Sequence, residues 1–218
     1  MAEALRAARS VPALDRILSL ELARVTERAA VAAARFRGRG DERAADQAAV
    51  DAMRLELNRL PIDAMVVIGE GERDEAPMLY IGEEVGNRKG PKVDVALDPL
   101  EGTTICAKNG PNALAVVAIA EKGGLLNAPD VYMEKIAIGG GFKDGIVDID
   151  DTPANNLKNL AKAKKADLSD LVACILDRPR HAELIAKVRE SGARIMLISD
   201  GDVSGVNATS EPGSGVDI

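Results

Sequence analysis

The run Leu171-Val172-Ala173-Cys174-Ile175-Leu176, followed by Asp177-Arg178-Pro179-Arg180-His181 and then by the helix-compatible segment 182–191, decides the fold class. Gly192 stops that helix, and Arg194-Ile195-Met196-Leu197-Ile198-Ser199 reads as a second apolar strand. Strand, helix and strand in this order, joined by short loops, predict a parallel pair and an α/β architecture. Both strands exit into charge, the first into Arg178 and Arg180, the second into Asp200-Gly201-Asp202. Ligands of open α/β sheets collect at the carboxyl ends of strands. Two arginines one residue apart on such a loop suit an anion, because guanidinium forks match phosphate oxygens. The alternative is a pair of solvent-exposed ion pairs with Asp177 and Glu183. His181 reads as a helix-start residue before it reads as a catalytic base.

Upstream, 150–170 is polar and holds Lys162, Lys164 and Lys165. It predicts a helix at the junction of two domains, 1–165 and 166–218, with the lysines on a solvated face. Short apolar runs at 64–68, 93–97, 113–120, 135–138 and 145–149 predict strands. Leu14, Leu18, Leu22, Val25, Ala29, Ala33 and Phe36 recur at helical spacing and form one apolar stripe. Gly38-Arg39-Gly40-Asp41 breaks it. A second helix runs from about Glu42 to Leu60, before Pro61, with Val50, Met53, Leu57 and Leu60 facing inward. Asp46 lies four residues before Val50, hence on that same face. It is either a buried functional acid or an acid at the frayed helix start, favoured by the helix dipole.

Acids gather where the first set of strands ends. The run 64–68 leads into Gly69-Glu70-Gly71-Glu72, and 93–97 into Asp98-Pro99-Leu100-Glu101-Gly102-Thr103-Thr104. Asp98 and Glu101, three apart across a Pro-containing turn, can both reach one cation. Gly102 lets the backbone approach a ligand, and Thr103 offers a hydroxyl beside free N–H groups. A surface hairpin would use the same residue types, but two strand exits each carrying paired acids favour a carboxylate metal site.

Composition removes other chemistries. The 28 Lys+Arg and 35 Asp+Glu of this 218-residue chain leave a net charge of −7, with no Trp and two each of Tyr and Phe. An acidic chain without aromatic platforms is a poor ligand for nucleic acid. No apolar run approaches the ~20 residues that span a bilayer, and the N-terminus has no h-region, so a soluble, cytoplasmic protein is expected. The two cysteines, Cys106 and Cys174, have no ligand spacing, and the single histidine excludes paired-His zinc motifs. Any metal must take mostly oxygen ligands, which points to Mg²⁺ or Mn²⁺.

These residues together resemble the class II fructose-1,6-bisphosphatase family, some of whose members also hydrolyse sedoheptulose-1,7-bisphosphate. The resemblance is carried in order by Gly38-Arg39-Gly40-Asp41, Ala44-Ala45-Asp46, Val67-Ile68-Gly69-Glu70-Gly71-Glu72, Asp74-Glu75-Ala76-Pro77-Met78-Leu79-Tyr80-Ile81-Gly82, Asp98-Pro99-Leu100-Glu101-Gly102-Thr103, Asn112-Ala113-Leu114-Ala115-Val116, Asn127-Ala128-Pro129-Asp130-Val131-Tyr132-Met133-Glu134-Lys135, Pro179-Arg180-His181 and Asp200-Gly201-Asp202-Val203. It implies the layered α/β/α/β/α fold of the lithium-sensitive, metal-dependent sugar phosphatases. It also implies two or more divalent cations, with Asp46 and Glu70 holding one and Asp98 and Glu101 another. Glu101, Gly102, Thr103, Tyr132, Arg178, Pro179, Arg180, Asp200, Gly201 and Asp202 would contact a sugar bisphosphate. The implied reaction is hydrolysis of the 1-phosphate in gluconeogenesis or carbon fixation, with cations about 3.5–4 Å apart around the phosphoryl group. Thr103 and Glu72 would orient the water. The rival readings are an inositol-monophosphatase-like enzyme and a non-catalytic sugar-phosphate-binding fragment. Family members continue past Ile218 with a segment that supplies a further metal ligand, so the second domain is expected to be incomplete here. A homo-oligomer, dimer or tetramer, is expected of the full-length protein, with neither nucleic acid nor membrane as partner.

Overall fold

The computed structural model describes residues 16–71, 78–126 and 131–218, with side-chain surroundings from Leu18 onward. The chain divides into two compact units, Met1–Val131 and Tyr132–Ile218.

The first unit opens with α1 (Arg16–Ala34) and α2 (Glu42–Leu57). The predicted stripe is buried: Leu18, Val25, Ala29 and Ala33 are core residues, with Leu22 and Phe36 packed against them. Leu14 lies outside the described residues. The second helix ends at Leu57, three residues before the expected Leu60, yet Leu60 is still buried because the chain continues in a turn from Asn58. The strands β1 (Asp63–Ile68), β2 (Glu84–Val85), β3 (Lys92–Glu101) and β4 (Leu114–Glu121) form a mixed sheet in the order β2-β1-β3-β4. β1 runs parallel to β3 and antiparallel to β2, while β3 and β4 are antiparallel. α1 and α2 pack on this sheet, and Met53, Leu57, Val66 and Val95 are fully enclosed between the layers. A five-residue helix, α3 (Thr103–Ala107), follows β3 directly.

The second unit contains α4 (Pro153–Lys164), β5 (Val172–Leu176), α5 (Ala182–Ser191), β6 (Arg194–Ile198) and α6 (Asp202–Ala208). β5 and β6 pair in parallel, as the strand-helix-strand reading requires. Thr152 caps α4 by accepting from the Asn155 N–H, and the following Pro153 supplies a preset φ. Leu157, Leu160, Leu171, Ala173 and Val188 make the core. The runs 135–138 and 145–149 are not strands. Ile138 and Ile146 pack on this core without a hydrogen-bonded partner strand. A short apolar run reports packing, and partial packing on a core does not need a sheet. Among the described residues, no helix is long and apolar enough to cross a membrane.

Candidate active site

Asp41 starts α2 by accepting a hydrogen bond from the Ala44 N–H at 2.9 Å, which satisfies one of the orphan donors of the first turn. Asp46 therefore stands in the second turn, half-buried, on a helix whose Ala45, Ala49 and Val50 are buried. It is not at a frayed start. Burial raises its carboxyl above the usual range.

β1 hands over to Gly69-Glu70-Gly71, where a second segment presses close. A Cβ on Gly69 would lie 2.1 Å from the Leu79 carbonyl oxygen, so only glycine admits this approach. The Glu70 N–H then donates to that same oxygen at 3.0 Å. The Glu70 carboxyl is pushed up to about 8, first by burial and then by the charges of Asp46 and Asp98. Acids on α2 and β3 thus stand near enough to the β1 exit to disfavour the charge of Glu70.

Asp98 and Glu101 do not flank a free turn, as expected; both belong to β3. In a regular strand, residues three apart face opposite sides of the sheet. Here the pairing slips, so that Asp98 opposes Val116 while Glu101 opposes Leu114. Pro99 and Leu100 on β3 therefore stand against the single Ala115 on β4, the signature of a bulge. Val116 and Leu114 share a face, and so do the acids opposite them. Asp98 accepts from the Leu100 N–H at 3.0 Å, which holds the bulge, and Glu101 is buried at 5% exposure. Gly102 follows with φ +87, a conformation natural to glycine, and Thr103 begins α3 half-buried. Glu72 lies outside the described residues.

Among the described residues, no three His, Cys, Asp or Glu side chains close into a ready-made ligand cluster. Ionised carboxylates repel, and a proton or a cation is needed to draw them together. The donor set fits a hard divalent cation such as Mg²⁺ or Mn²⁺, which takes oxygen ligands and displaces such a proton.

The second unit has a different character. Arg178 is half-buried, and its Nη1 lies 3.4 Å from the Asp177 carbonyl. Pro179 opens a short 3₁₀ turn ending at His181, whose Nδ1 stands 2.8 Å from the Leu176 carbonyl. His181 occupies the cap position of α5, the helix-start role read from the sequence. Arg180 stacks on the exposed Tyr132 ring, its guanidinium carbon 4.4 Å from the centroid. Glu183 pairs with Lys187 at 2.6 Å, so it is not the partner of either arginine. Among the described residues neither Arg178 nor Arg180 forms an ion pair. Gly201, at φ +86, caps α6, and Asp202 lies 3.4 Å from Lys135.

A mixed sheet with acids at its strand exits, packed beside two helices, defines a mixed α/β protein. The chain belongs to the class 2 fructose-1,6-bisphosphatase family: residues 16–218 match the family model described as bacterial fructose-1,6-bisphosphatase, glpX-encoded. It is 51% identical over 205 residues to fructose-1,6-bisphosphatase 1 class 2 of Escherichia coli strain K12, covering 94% of this chain and 61% of that protein. It is 48% identical over 215 residues to the D-fructose 1,6-bisphosphatase class 2/sedoheptulose 1,7-bisphosphatase of Synechococcus sp. strain JA-2-3B'a(2-13), covering 93% of this chain and 62% of that one. The chain thus spans about 61% of the length of these relatives.

Proposed function

We propose that the protein hydrolyses the 1-phosphate of fructose-1,6-bisphosphate, and of sedoheptulose-1,7-bisphosphate, to the monophosphate and inorganic phosphate. The observation that carries this reading is the family match over residues 16–218, and the acids Asp46, Glu70, Asp98 and Glu101 on α2, the β1 exit and β3 support it. Desolvated acids near one another are costly unless a cation uses them. Asp46 and Glu70 would hold one divalent ion, and Asp98 and Glu101 another. Bound Mg²⁺ or Mn²⁺ supplies charge neutralisation and water activation.

The protein's own groups supply position. Phosphoryl transfer asks mainly for alignment and charge balance, so no side-chain nucleophile is required. Thr103 and Glu72 orient the water that attacks phosphorus as the bond to the sugar oxygen breaks. Arg178 and Arg180 grip the distal phosphate as forks rather than point charges, with Pro179 limiting the freedom of their loop. Tyr132, Asp200, Gly201 and Asp202 contact the sugar. The layered α/β/α/β/α fold, a domain division at 165/166, a cytoplasmic location and homo-oligomerisation belong to the same proposal. Phosphate release from fructose-1,6-bisphosphate with Mn²⁺, measured on the full-length protein, tests it. Release that vanishes in Thr103→Ala supports the reading; a folded, Mn²⁺-binding protein that releases none contradicts it.

A further inference from the structure

Glu83 is buried at 5% exposure, far from water for a carboxylate, and the reaction just described gives it no part. Its Oε1 accepts from the Arg54 Nε at 2.6 Å, and its Oε2 accepts from the Leu79 N–H. Arg54 belongs to α2, the helix that carries Asp46. Leu79 is fully buried with φ +55, a conformation a branched residue adopts only under constraint, and its carbonyl receives the Glu70 N–H at 3.0 Å. Around it the segment is strapped to β1: Val66 N–H donates to the Glu83 carbonyl at 2.9 Å, and Gly82 N–H donates to the Val66 carbonyl at 2.8 Å. The Ile81 N–H donates to the Gly71 carbonyl at 3.0 Å, on the far side of Glu70.

We infer that Glu83 and Arg54 form a positioning clamp for the cation site: through Leu79 they fix the backbone of Glu70 against the helix that carries Asp46. The inference rests on the proposed cation site and deepens it. A carboxylate on a loop can swing away from a cation. Here the loop is bound on one side to α2 by a charge-assisted hydrogen bond and on the other to Glu70 by the Leu79 carbonyl. The strained turn at Leu79 persists because Glu83 satisfies its N–H in a place water does not reach. Neither Glu83 nor Arg54 touches the reacting atoms; both act through Leu79.

Calorimetric titration of Mn²⁺ into the full-length protein tests the clamp, with the melting temperature of the metal-free protein measured alongside. Glu83→Gln and Arg54→Met weaken Mn²⁺ binding by about 10–100-fold, the range known for outer partners of metal ligands. Val25→Ala opens the core between α1 and the sheet and lowers the melting temperature, but leaves Mn²⁺ affinity at the wild-type level. Wild-type affinity in either folded clamp variant, or an equal loss in Val25→Ala, overturns the inference. Glu70→Gln separates the clamp from the site itself. A loss there without one in the clamp variants overturns the clamp alone, whereas wild-type affinity in Glu70→Gln overturns the cation site and the clamp together. Arg54, with 42% of its side chain exposed, carries the comparison if Glu83→Gln does not fold.

Discussion

Charge sits at strand exits in both units, but the company each charge keeps makes the two sets of exits chemically unlike. At the ends of β1 and β3 the acids are half-buried or buried, they act on one another, and Glu70 is driven to about 8. After β5 and β6 Arg178, Asp200 and Asp202 are half-buried and Arg180 is exposed, but here both signs of charge are interspersed. Asp202 pairs with Lys135, and Arg180 is partnered by an exposed aromatic ring. A desolvated cluster stores an unfavourable charge arrangement that a cation relieves. Guanidiniums interspersed with acids store little, and they offer geometry rather than charge tension. The first arrangement fits chemistry, and the second fits grip.

The contrast can be broken at either end. Asp98→Asn should have the largest effect, lowering Mn²⁺ affinity and turnover by more than the roughly 100-fold that outer partners of a metal ligand command. Turnover assays with a Mn²⁺ titration check it. Arg180→Ala should leave Mn²⁺ affinity unchanged and raise the KM for the bisphosphate about tenfold, the worth of one charge-assisted hydrogen bond. A monophosphate substrate should feel that change far less. Metal-free protein should lose stability as pH rises. Glu70 has a folded-state pKa of about 8 against an ordinary 4.5, so between these values the folded form holds a proton that the unfolded form has released. Thermal unfolding from pH 5 to 8 checks the slope, and Glu70→Gln should flatten it. The smallest effect belongs to Tyr132→Ala, which removes an exposed cation–π contact worth about 0.5–1 kcal/mol and should change KM only a few-fold.

Much of this contrast was legible in the residues. The α1 stripe and the inward positions of α2 are period readings, and burial obeys them at Val25, Ala29, Met53 and Leu57. The parallel β5–β6 pair followed from an apolar run, a Gly-stopped helix and a second apolar run. β2, α3 and α6 were not legible: with two, five and seven residues and no continuous apolar run they build no periodic pattern, and tertiary contacts decide them. Nor was the β3 bulge. Pro99 suggested a turn, whereas an extra residue inside the strand puts Asp98 and Glu101 on one face. The clamp was hidden for a similar reason. Arg54 and Glu83 lie 29 residues apart, and no local pattern marks a buried pair that folding brings together. The runs 135–138 and 145–149 erred in the other direction, because a few apolar side chains partly packed on a core, without pairing, look like a strand in sequence.

The central claim is that the acids around Glu70 hold a divalent cation at the cost of a proton. Titrating Mn²⁺ into the full-length protein at pH 7, in two buffers of different ionisation enthalpy, counts protons released on binding. The account predicts on the order of one proton per binding event in the wild type and none in Glu70→Gln. Tight binding with no proton released, or the same release after Glu70→Gln, would contradict it.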